Sequence, residues 1–99
     1  MVKLVALYRR PEDPQSFDRH YFESHMPLVR KIPGLVRVEV SRVSGAPRGE
    51  PEYYLMTEMY FADAGALERA MVSPENVEAG KNLMSFAKGL VSLFYAGVE

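Results

Sequence analysis

Cysteine is absent from the 99-residue chain, and histidine occurs only twice. Without cysteine there is no disulfide framework, no thiolate metal site and no thiol nucleophile. That absence suits a reducing, cytoplasmic setting. Neither sign of charge dominates: 12 basic residues meet 13 acidic ones, for a net charge of −1. The isoelectric point near 6.1 leaves no basic footprint, so nucleic acid is not an expected partner. Long apolar runs are missing too. The longest, Leu4 to Tyr8, has five residues, against about 20 for a membrane span. The N-terminus shows neither an extended apolar core nor a small-residue cleavage site, so no secretory leader is expected. The chain reads as a soluble cytoplasmic protein with no membrane partner. No GxGxxG, GxxxxGK or GxSxG motif occurs, which removes the usual signals of dinucleotide, nucleotide and serine-hydrolase chemistry.

What is present is ordinary globular material: 47% apolar, 11% aromatic and 25% charged residues. This length and composition predict one domain over residues 1–99. A core this small leaves a thin margin, which a partner chain would widen.

Val2 to Arg9 predicts a strand. Asp13 can cap a helix whose first residue is Pro14, a position that needs no backbone N–H. Phe17, Tyr21, Leu28 and Ile32 then fall on one helical face, with Arg19, Glu23 and Arg30 opposite. Pro27 cannot donate to the Glu23 carbonyl, so a kink or restart is expected near Met26, with Pro27 opening a second short segment. Pro33-Gly34 stops the helix. Leu35 to Val43 alternates, with Val36, Val38 and Val40 on one side. Ser44 to Pro51 is a loop. Glu52 to Phe61 predicts a strand and Asp63 caps a helix through Met71. Ser73-Pro74 starts another helix, with the stripe Val77, Gly80, Leu83, Met84 and Ala87. Leu90 to Ala96 predicts the last strand.

The order β-α-β-β-α-β points to a ferredoxin-like α+β sandwich, a four-stranded antiparallel sheet with its helices on one face. The other face should be polar in a monomer. Strands one, three and four are instead apolar at both parities, as in Leu4, Ala6 and Tyr8 against Val5 and Leu7. The expected cover is a second copy, packed sheet on sheet about a two-fold axis. Lys3, Arg37, Glu39 and Glu58 should then pair across that interface or lie near its ends.

His25 is the most informative residue for function. It falls at the angle of the Tyr21–Ile32 stripe and is expected to point at the sheet, among Phe17, Tyr21 and Phe22. A core histidine with one hydrogen bond is one reading. The other is a general acid/base, or a donor to a ligand carbonyl or hydroxyl. His20 lies nearer the solvated face. The two imidazoles, five residues apart, diverge by about 140° on a helix, and no carboxylate lies one turn from His25, so no metal is expected. The acid/base reading needs no organic cofactor either. Tyr8, Phe17, Tyr21 and Tyr60 are the candidate substrate-binding residues, Tyr8 and Tyr60 because they sit near strand ends.

Leu7-Tyr8-Arg9-Arg10-Pro11-Glu12-Asp13-Pro14, Phe17 to Phe22, His25-Met26-Pro27-Leu28 and Ile32-Pro33-Gly34-Leu35, in this order, resemble the EthD family of small dimeric α+β barrel proteins. The resemblance implies a homodimer whose sheets form a barrel and a cleft between helix and sheet faced by His25. It implies a small apolar metabolite as partner and cofactor-free oxidoreductase- or isomerase-type chemistry. Alternatively, it implies a non-catalytic ligand-binding or accessory subunit of a degradative oxygenase system.

Overall fold

The computed structural model describes residues 1–99. It is a slab of 38 × 31 × 19 Å. The short dimension is one sheet plus one helix layer, each about 10 Å thick. Strands β1 (Val2–Arg9), β2 (Leu35–Arg42), β3 (Tyr53–Phe61) and β4 (Val91–Gly97) form one antiparallel sheet in the order β2-β3-β1-β4. This is the ferredoxin-like arrangement. Helices α1 (Pro14–Arg19), α2 (Met26–Val29), α3 (Ala64–Met71) and α4 (Pro74–Ala87) lie on the chain between the strands. Three starts are capped as the side chains dictate. Asp13 accepts from the Ser16 amide, Asp63 from Ala66 and Ser73 from Asn76.

The two faces of the sheet follow strand parity. Leu4, Ala6 and Tyr8 of β1 oppose Met59, Thr57 and Leu55 of β3, and all six are buried under the helices. Lys3, Val5 and Leu7 oppose Tyr60, Glu58 and Met56 on the bare face.

Between α1 and α2 the chain is π-helical over His20–His25, and the Met26 amide donates to the Tyr21 carbonyl, five residues back. Pro27 is the cause, because it has no N–H to continue a tighter ladder and its ring crowds the preceding turn. The expected restart at Met26 and Pro27 is therefore present, in the form of a widened turn. That widening also corrects the inward stripe. In an unbroken α-helix Met26 would lie about 180° from Phe17, yet Met26 and Val29 are buried and Leu28 is only half-buried.

Two further strips differ from expectation. A register shift between Leu35 and Arg37 pushes Val36 outward, where it is half-exposed, and leaves Leu35, Val38 and Val40 facing the core. On α4 the buried side chains are Ala79, Leu83 and Ala87, while Val77 and Met84 are exposed. The helix packs closely against the π-helical segment and α2, and close approach selects small residues over the larger apolar ones.

The stripe shift has a measurable consequence. Met26→Ala should destabilise the fold by about 2–5 kcal/mol, and Leu28→Ala by less than half as much, in urea unfolding. Equal losses would contradict the widened turn.

Candidate functional site

The π-helical segment turns two polar rings inward. Tyr21 is fully buried and its hydroxyl bonds to the Thr57 hydroxyl at the middle of β3. His25, one turn later, is 6% exposed, and its Nδ1 lies 3.2 Å from Oδ1 of Asn82 on α4. Burial pushes the His25 pKa below its ordinary value, and the Asn82 hydrogen bond only partly offsets this. The ring is held neutral near pH 7. A neutral ring that donates Nδ1–H to Asn82 keeps its lone pair on Nε2.

Beside His25 lies a cavity of about 80 Å³, bounded by Leu4 and Tyr8 of β1, Asn76, Gly80 and Leu83 of α4, and Leu93 of β4. Gly80 is in the middle of α4, where alanine would favour the helix by about 1 kcal/mol. A Cβ placed there would meet no atom within 4 Å. The glycine thus leaves open space at the rim of the cavity.

The structure brings Tyr8 and His25 to this cavity and separates the other expected residues from it. Tyr8 is 1% exposed and makes edge-on contacts with Phe17 and Tyr21 at 5.5 and 5.4 Å. Its pKa is raised by burial, then by the neighbouring Tyr21, against a smaller opposing contribution from Thr57. Tyr21, whose pKa burial raises to about 12, stands behind Tyr8 and is not on the cavity wall. Phe17 stacks on Tyr21 at 5.9 Å and likewise lies behind the wall. Tyr60 is set apart from the cavity. Its parity puts it on the bare face, where Arg37 covers its ring at 3.9 Å and its hydroxyl donates to Glu39 at 3.1 Å. His20 is exposed and stacks on Phe86, which also meets His25 edge-on.

Asn82, Asn76 and Gly80 were missed as site residues. Asn82 and Phe86, four apart on α4, both reach His25. The available signal was this polar–aromatic pair on the flank of the helix's small-residue stripe.

The fold and the cavity together define a ferredoxin-like domain with a histidine-edged cleft between helices and sheet. The EthD domain family matches residues 9–88, and the chain belongs to that family. It is 30% identical over 99 residues to an uncharacterized 11.0 kDa protein of the thcB–thcC intergenic region of Rhodococcus erythropolis, covering 100% of this chain and 96% of that one. An EthD family protein of Bacillus halodurans superposes with a TM-score of 0.96 at 49% identity, over 100% and 99% of the two chains. More distant structures share the fold. A dimeric ferredoxin-like protein of Jannaschia is 18% identical (TM-score 0.72, coverage 99% and 100%). SnoaB, a cofactor-independent oxygenase from Streptomyces nogalater, is 16% identical (TM-score 0.69, coverage 99% and 92%).

The depressed His25 pKa fixes a sign. The folded state prefers the neutral ring, so stability is full above the ordinary value of 6.5 and falls as the pH drops below it. Asn82→Asp would place a carboxylate against the ring, raise its pKa and weaken that acid-side loss. NMR titration should show His25 titrating below 6.5 in the parent protein and higher in Asn82→Asp.

Proposed function

We propose that the chain acts as a homodimer that binds, and transforms by proton transfer, a small and largely apolar molecule beside His25. The observation that supports this reading is the inward, neutral imidazole held by Asn82 at the edge of a cavity. Nε2 can take a proton from an acidified C–H or O–H of the ligand. In its protonated form it can return that proton or polarise a carbonyl. The side chains present suffice for this proton transfer, the chemistry of a cofactor-free isomerase; an oxidation built on it would pass two electrons to dioxygen as the oxidant. SnoaB shows that a fold of this kind can carry a cofactor-independent oxygenase.

The bare sheet face supports the dimer. Val5 is buried by its neighbours, Leu7 and Met56 are half-buried, and Phe94 is 46% exposed. The charged residues on this face are satisfied within the subunit. Lys3 pairs with Glu58 at 2.6 Å and Arg37 with Glu39 at 3.4 Å. Pairing within the subunit leaves an association surface with few uncompensated charges. The Jannaschia neighbour is dimeric.

Sedimentation at micromolar concentration should give twice the 11.2 kDa subunit mass, and Leu7→Arg should give monomer. A parent protein that sediments as monomer removes the assembly. The ligand site is tested by screening small apolar alcohols and ketones for compounds that shift the NMR signal of His25 but not that of His20. If no compound separates the two histidines, the binding reading fails. Once a substrate is found, His25→Gln should lower turnover by at least about 100-fold while the protein stays folded.

A further inference from the structure

The His25 cavity, at about 80 Å³, is much smaller than the roughly 300–1,000 Å³ of ordinary small-molecule sites. Most of any metabolite must therefore lie outside it. Two larger spaces border the same helices. One, of about 480 Å³, lies behind Phe17 and Phe86 and is edged by Glu12, Asp13 and Lys88. Desolvating those charges opposes an apolar occupant. The other is a groove of about 550 Å³ under α3, with seven of its nine lining residues hydrophobic, among them Val2, Leu67, Met71, Val72 and Tyr95.

The linings of the His25 cavity and the α3 groove adjoin at three places. On β1, Leu4 lines the cavity and Val2 the groove. On β4, Leu93 lines the cavity and Tyr95 the groove. Each of these pairs is two residues apart on the helix-facing side, or about 7 Å. Between the helices, Asn76 of the cavity donates from Nδ2 to the carbonyl of Met71 of the groove at 3.1 Å. The sill dividing the two spaces is the opposed pair Leu4 and Tyr95. Tyr95 is 61% exposed and Leu93 50%, because the helices leave the upper face of β4 uncovered.

We propose that the His25 cavity and the α3 groove form one two-chamber site. It takes an elongated ligand, with a hydroxyl or carbonyl head at His25 and an aliphatic or ring-built body passing Tyr95 into the groove. This rests on the reading of His25 as a ligand contact and adds the shape of that ligand. A small molecule fits the groove better than a second copy does, because the groove opens on the helix side of the sheet, away from the bare face.

Straight-chain primary alcohols from butanol to decanol, titrated into the intact protein, test this by calorimetry with NMR of the His25 ring. Affinity should rise about fourfold per methylene beyond butanol, from roughly 0.8 kcal/mol per buried methylene. Every member should shift His25. Val72→Asp, at a position 81% exposed and so harmless to the fold, should weaken decanol at least tenfold and leave butanol unchanged. Tyr95→Asp, at the sill, should weaken decanol at least tenfold as well. An affinity that levels off at butanol, or that ignores both substitutions, overturns the two-chamber site while His25 remains a ligand contact. Affinity that climbs while His25 stays silent overturns the head placement and the His25 reading together. Absence of binding by any alcohol overturns both as well. If Val72→Asp converts a dimer to monomer, the groove belongs to a second copy and the proposal fails.

Discussion

A missing hydrogen-bond donor organises the helix layer. Pro27 cannot bond backward, so the preceding turn widens until the Met26 amide reaches the Tyr21 carbonyl. In that wider turn Tyr21 and His25 both project onto the sheet, and Met26 and Val29 follow them into the core. Tyr21 is then anchored to Thr57 at the centre of β3, and His25 to Asn82 on α4. The two bonds tie the irregular segment to the sheet on one side and to a regular helix on the other. The irregularity thus stays ordered, at the place where the cavity forms. π-Turns are rare in helices and concentrate at functional sites, and here the proposed acid/base His25 lies within the six π-helical residues.

The sheet divides the labour of the molecule. Its helix face holds the core, the His25 cavity and the groove over β4. Its bare face holds an apolar centre with internally satisfied charges at one end. The two surfaces do not compete for the same side chains, since strand parity assigns each residue to one or the other. A subunit can therefore associate through one face while the other stays open to ligand.

Much of the fold was legible because its signals are local. The caps at Asp13, Asp63 and Ser73 and the alternation in the strands need no tertiary knowledge. The inward His25 was legible as well, since four residues from Tyr21 keeps it on the same face in either kind of helix. Met26 and Val29 were not, because the stripe past Pro27 depends on how the chain resolves an unmet hydrogen bond. Val36 was lost to a register shift set by its partner strand. Tyr60 was misplaced because both parities of β3 are apolar, so hydrophobicity does not say which side the helices cover. Asn82 carries no periodic signal of its own and gains meaning only from the ring it faces.

The widened turn holds one residue more than an α-helix would use over the same arc. Removing one residue from the stretch 20–25 would let the segment rewind to the tighter ladder with the chain after it still in phase: eight α-helical steps leave Met26 about 80° from Phe17, against about 180° after nine. Adding a residue has no such outlet and would carry Met26 and Val29 off the core. A single insertion into a regular helix is thus the simplest origin of this turn, and a single deletion its simplest loss.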